Sequence, residues 1–81
     1  MPQEAFFFGP FQLFPERGLL LREGTRIPLG GRALSILGLF VRKPGELVAV
    51  SELLQHAWPN MQVENSNLRV QLAALRKALI D

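Results

Sequence analysis

Two regimes of hydrophobic patterning follow one another along the chain. Up to about residue 29 the apolar positions come as short stretches broken by turn residues: Phe6-Phe7-Phe8, Gly9-Pro10, Phe11-Gln12-Leu13-Phe14, Pro15-Glu16-Arg17-Gly18 and Leu19-Leu20-Leu21-Arg22. Short apolar stretches between Gly and Pro clusters predict strands. Glu23-Gly24 reads as a two-residue hairpin turn with glycine available for a positive φ, and Thr25-Arg26-Ile27-Pro28-Leu29 reads as the returning strand. The expected unit is a small antiparallel sheet. Strands this short need one face covered, and the only cover is the helical part of the chain.

After Gly30-Gly31 the period lengthens to that of a helix. Leu34, Leu37 and Val41 form one line and Ile36 and Phe40 a second beside it, a stripe wide enough for a central core helix. Arg42-Lys43 complement the dipole at its end, and Pro44-Gly45 stop it. Leu47-Val48-Ala49-Val50 reads as a short extended piece. Ser51 is the expected cap of a second helix of about two turns, with Glu52 in its first turn and Leu53, Leu54, Ala57 and Trp58 on its buried side, closed by Pro59-Asn60. A third helix is expected from Glu64 or Asn65 to about Leu79. At about 100° per residue, Leu68, Leu72, Leu75 and Leu79 fall within roughly 60° of one another and define its core face. The opposite face holds Ser66, Val70, Ala73 and Lys77; Asn67, Gln71 and Ala74 lie on one flank, Arg69 and Arg76 on the other.

Eighty-one residues leave room for one hydrophobic core, so the expected organisation is one domain over 1–81, with an N-terminal sheet over 5–29 and a three-helix core over 30–81. With 48% hydrophobic and 20% charged residues the mix is that of a globular chain, which excludes disorder. No uninterrupted apolar run exceeds four residues, which excludes a membrane-spanning helix, and Met1-Pro2-Gln3-Glu4 lacks the basic region of a secretory signal. The expected location is the cytoplasm. The absence of cysteine excludes disulfides, thiol catalysis and cysteine-held zinc. A net charge of +2, split evenly between the two halves of the chain, permits nucleic acid as a partner without demanding it.

Catalytic chemistry finds no support in the residues. His56 is the single histidine, has no acidic or histidine cluster around it, and is expected on the solvated side of its helix. Ser35, Ser51 and Ser66 have no recognisable base, and Gly30-Gly31 lacks the Gly-Lys-Ser/Thr ending of a phosphate loop. No enzyme activity, metal, cofactor or small-molecule substrate is expected.

The segments Leu29-Gly30-Gly31-Arg32-Ala33-Leu34, Pro44-Gly45-Glu46-Leu47-Val48, Glu52-Leu53-Leu54, Trp58-Pro59, Val63-Glu64-Asn65 and Leu68 to Leu79 together resemble the OmpR-type winged helix-turn-helix DNA-binding domain of bacterial transcriptional regulators. The resemblance runs from Phe6 to Leu79. It is strongest with the branch in which such a domain precedes a large ATPase or repeat-containing region. It implies an α+β fold: a four-stranded N-terminal sheet, three helices with the third in the DNA major groove, and a C-terminal wing hairpin in the minor groove. The family continues into that hairpin where this sequence reaches Leu79-Ile80-Asp81, so the expected fold has its wing missing or truncated.

The resemblance implies double-stranded DNA as partner and assigns nucleic-acid contacts to Ser66, Asn67, Arg69, Val70, Gln71, Ala74, Arg76 and Lys77. Asn67 and Gln71 have groups for base edges, Val70 and Ala74 for a thymine methyl, and Arg69, Arg76 and Lys77 for phosphates. The indole N–H of Trp58 is a further phosphate candidate beside its core role, and Arg32 and Lys43 are candidates off the third helix. Where response regulators often carry arginine, this chain has Ala73 and Ala74. That departure keeps an alternative open: a winged-helix protein-interaction or regulatory module with a weakened DNA face. The stretch from Pro59 to Val63 reads either as a plain connector or, by the resemblance, as a contact for RNA polymerase. Oligomers on DNA are a further expectation, as is a dimer through Leu75, Leu79 and Ile80 if the wing's absence exposes them.

Overall fold

The computed structural model describes residues 4–80. Four strands come first: β1 (Phe6–Phe8), β2 (Phe11–Phe14), β3 (Leu19–Arg22) and β4 (Thr25–Arg26), with a 3-10 turn at Pro15–Arg17. They form one antiparallel sheet whose spatial order is the chain order. Phe6 pairs with Leu13, Phe8 with Phe11 and Leu13 with Leu20, so these side chains share a face. That face is the inner one. Leu13 and Leu20 are fully buried, the rings of Phe8 and Phe11 stack with centroids 5.4 Å apart, and Phe7, on the other face, is exposed. The β3–β4 turn has Glu23 at φ 50° and Gly24 at φ 84°. Two consecutive positive φ values match the right-handed twist of a tight hairpin, and glycine adopts its share without a Cβ penalty.

Three helices complete one core with that inner face: α1 (Gly31–Arg42), α2 (Val50–Ala57) and α3 (Asn65–Ile80). α1 is the hub and packs against α2, α3 and the 3-10 turn. Its Ala33, Leu34, Ile36, Leu37 and Leu39 join Phe11, Leu13, Leu20, Leu53, Ala57, Trp58, Leu68 and Leu75 in one core cluster. Each fully buried Leu or Ile contributes roughly 1.5–3 kcal/mol, so this cluster is the main support of the fold. Polar bridges sit around it. Arg42 reaches back to Glu4, 3.0 Å away, and lies over the Phe6 ring at 5.5 Å. Lys43 donates to the Glu52 carboxylate, joining the end of α1 to the first turn of α2. That bond holds the Lys43 ammonium above its ordinary pKa of 10.5, with the negative charge of Glu52 and, less, of Glu46 acting in the same direction against partial desolvation.

Several sequence expectations are corrected by this architecture. The fourth strand stops at Arg26 instead of Leu29: Ile27 makes one further bond, its N–H 2.8 Å from the Leu20 carbonyl, but the register then runs out, because Gly18, which would face Leu29, is left-handed (φ 58°) and β3 begins only at Leu19. The extended piece at Leu47 to Val50 is not a strand: residues 46–49 pair with no strand among the described residues, and Val50 already belongs to α2. Ser51 is not the cap of α2. Ala49 takes that position in extended conformation, its carbonyl accepting from Glu52 and Leu53, and no side chain caps it. Phe40, expected in the core stripe of α1, is 36% exposed, because it lies at the rim of an open apolar groove formed with Phe6, Phe8, Leu37, Val41 and Leu79 and is only partly covered there. Leu75, offered as an exposed dimer contact, is buried at 5% exposure.

Candidate nucleic-acid interface

α3 begins where the Asn67 N–H bonds to the Glu64 carbonyl at 3.0 Å, and it runs sixteen residues with no acidic side chain. Leu68 and Leu75 are buried on its inner face, and Leu72 and Leu79 pack against the core half-buried. That anchoring turns the opposite stripe outward. Ser66, Asn67, Arg69, Val70, Ala73, Ala74, Arg76 and Lys77 are exposed, and Gln71 is half-buried at the edge of the core. Eight of the nine residues singled out from the sequence therefore lie on one helix, seven of them on its exposed surface.

Trp58 is the one placed apart. It follows α2, is 6% exposed, and bonds its backbone N–H to the Leu54 carbonyl at 2.8 Å. Its indole is a core group with the Arg32 guanidinium over its ring at 5.1 Å. Arg32 also donates to the Ala57 carbonyl at 2.6 Å, and Lys43 is bound to Glu52, so both cations proposed off α3 are engaged within the protein. Among the described residues, Arg69, Arg76 and Lys77 make no side-chain hydrogen bond or ion pair. Three cations on one outward helix surface with no acid beside them in the helix make an electropositive stripe.

The structure adds a border that the sequence reading missed. Ile27, Pro28, Leu29 and Gly30 form a shallow groove with Ala74, Lys77 and Ala78, so the β4–α1 connection runs along one flank of α3. Arg26 lines the adjoining hollow with the same four residues. Some 50 residues separate these groups in the chain, and helical periodicity carries no signal across that distance. No group of three or more His, Cys, Asp or Glu suited to a metal occurs among the described residues, and no helix there is long and apolar enough to cross a membrane.

A short antiparallel sheet on a three-helix core, with the last helix presenting a basic outer stripe, is the architecture of the winged-helix DNA-binding domains of response regulators. The family described as "Transcriptional regulatory protein, C terminal" matches residues 24–81, and the chain belongs to it. The transcriptional activator CadC of Escherichia coli K12 is 27% identical over 81 residues, which cover 100% of this chain and 16% of CadC. The chain thus spans a small part of that relative's length. Among solved structures, the DNA-binding domain of E. coli CadC matches with a TM-score of 0.81 at 25% identity, over 96% of this chain and 74% of that one. The response regulator DrrB of Thermotoga maritima, an OmpR/PhoB homologue, matches with a TM-score of 0.84 at 23% identity, over 95% and 35% of the two chains. The DNA-binding domain of E. coli CpxR gives 0.84 at 20% identity, over 96% and 78%. The last two show the fold.

Proposed function

We propose that this chain is one DNA-binding unit that places α3 in the major groove of double-stranded DNA and so serves transcription regulation in the cytoplasm. The observation that carries this reading is the outer surface of α3: three cations without acidic neighbours in the helix, exposed beside uncharged polar side chains. Arg69, Arg76 and Lys77 face phosphates, while Asn67 and Gln71 offer hydrogen bonds, and Val70 and Ala74 apolar contact, to base edges. Ser66, in the first turn, adds a hydroxyl for a phosphate. Family membership supports the same reading. RNA polymerase and further copies of the chain on DNA are partners compatible with it; the loop between α2 and α3 exposes Met61 and Gln62 for such a contact.

The test is a fluorescence-anisotropy titration of this chain with a random duplex at several salt concentrations. Non-specific binding with a dissociation constant on the order of 10⁻⁴ to 10⁻⁶ M is expected. The logarithm of affinity should fall linearly with the logarithm of salt, by about 0.9 per phosphate contacted. Absence of binding even at low salt would overturn the reading for this chain.

A second reading has its own observation. Val70 is 64% exposed between Ala73 and Ala74, giving the outer stripe an uncharged apolar centre suited to docking a protein. Amide shift perturbations separate the two: a duplex should move the signals of Asn67 to Lys77, whereas a docking module should respond there to RNA polymerase subunits and not to the duplex.

A further inference from the structure

The chain turns from α2 into α3 over residues 58–64, and that corner is built on Trp58. The Trp58 N–H reaches back to the Leu54 carbonyl at 2.8 Å, and the Trp58 carbonyl accepts from Met61 at 3.3 Å. Asn60, at φ 60°, completes the reversal. One side chain from another helix grips this corner. Arg32, in the first turn of α1, donates to the carbonyl of Ala57, the last residue of α2, 25 positions away. That carbonyl has no partner inside its own helix, and the guanidinium charge also complements the negative end of α2. The same guanidinium lies over the Trp58 ring. A planar group can stack on the indole and donate sideways at once; an ammonium group cannot reproduce both contacts.

We propose that Arg32 is a positioning residue for α3, acting through the α2 C-terminus and Trp58 and not through a phosphate. The proposal rests on the DNA-binding reading for its functional consequence, though not for its structural one. Because only the short corner separates Trp58 from Asn65, whatever fixes Trp58 fixes where the outward side chains of the first turn of α3 begin. Arg32 thereby controls how Ser66 and Asn67 meet a duplex without touching it.

The experiment compares the wild-type chain with Arg32→Lys and Arg32→Ala well below their melting temperatures, by amide spectra and by salt-dependent anisotropy with a duplex. In both variants the amide signals should shift from Ala57 through the corner to Asn65, Ser66 and Asn67. Both should lose affinity by about five- to tenfold, with the salt slope of Arg32→Lys unchanged. A phosphate contact predicts otherwise: Arg32→Lys would stay within about twofold of wild type, and the slope of Arg32→Ala would drop by about 0.9. That result overturns the proposal, as does a shift map confined to Arg32, Ala57 and Trp58, or unaltered affinity in the folded variants. If the wild-type chain binds no duplex at all, the DNA-binding reading falls, while the amide map still decides whether Arg32 sets the start of α3.

Discussion

Gly38 and Arg42 sit one helical turn apart on α1, and a Cβ added to Gly38 would stand 3.1 Å from Nη1 of Arg42. The missing side chain lets the arginine fold across the helix toward Glu4 and Phe6. Arg42 is the far end of a flexible, part-exposed side chain, so it can yield by a few tenths of an ångström. Alanine in a helix interior is favoured over glycine by roughly 0.5–1 kcal/mol, and an exposed ion pair contributes about 0–1 kcal/mol. Gly38→Ala should therefore raise stability by up to about 1 kcal/mol, equivalent to a few degrees in Tm for a domain of this size. A lower Tm would mean that the contacts of Arg42 with Glu4 and Phe6 outweigh the gain in the helix.

Ile36 has no solvent exposure and lies at the centre of the core with Leu13 and Leu20. Ile36→Ala should cost about 2–5 kcal/mol, and Ile36→Val about 0.5–1.5 kcal/mol. Domains are stable by only about 5–15 kcal/mol in total, so the alanine variant should show a partly unfolded population or a strongly lowered denaturant midpoint. Equilibrium urea unfolding followed by Trp58 fluorescence measures both.

The Lys43–Glu52 bond gives stability a pH dependence with a definite sign. The folded-state pKa of Lys43 lies above the ordinary value of 10.5, so its contribution is fully present below that value and is lost as pH rises through the folded pKa. Thermal unfolding should show an alkaline decline above about pH 10.5. In Lys43→Met that decline should flatten; an unchanged alkaline profile would place its origin elsewhere.

On the outer surface of α3, charge and shape should separate experimentally. Lys77→Ala should weaken binding about equally on all duplexes and lower the salt slope by about 0.9. Gln71 is held half-buried at the edge of the core, which limits the directions its amide can take. Gln71→Ala should change preference at one base pair by about 1–3 kcal/mol while leaving the salt slope intact. Titrations against duplexes varied one position at a time report the outcome, and an unaltered preference would remove Gln71 from the base-reading set.

The strands and helices were legible where a period repeats: alternation with turn residues marked β1 to β3, and the leucines at 68, 72, 75 and 79 marked α3 and its outward stripe. What periodicity cannot say is which neighbour covers a given side chain. The stripe of α1 includes Phe40 by phase, yet the side chain stays 36% exposed at the rim of an open apolar groove that it shares with β1 and Leu79. Ser51 looked like a cap by type, but the cap lies two residues earlier, at Ala49, whose extended backbone suffices. Arg32 is legible as a cation and nothing more, since its partners Ala57 and Trp58 are brought to it only by the packing of α1 on α2. The candidate site on α3 was readable because it is the complement of a core stripe. Its flank at Ile27 to Gly30 was not, because it comes from another part of the chain.

The sheet follows the chain in order, each strand pairing with the one just made, and among the described residues no strand waits for a distant partner. Closing a short loop carries a small entropic cost, and each hairpin here closes within a few residues. Among the described elements the contacts that span the most chain are those that the helices make with the sheet and with one another, so the larger loop-closure cost falls on docking the helices and not on pairing strands. A meander of this kind under three helices places the domain among the rapid folders, in the millisecond range or faster.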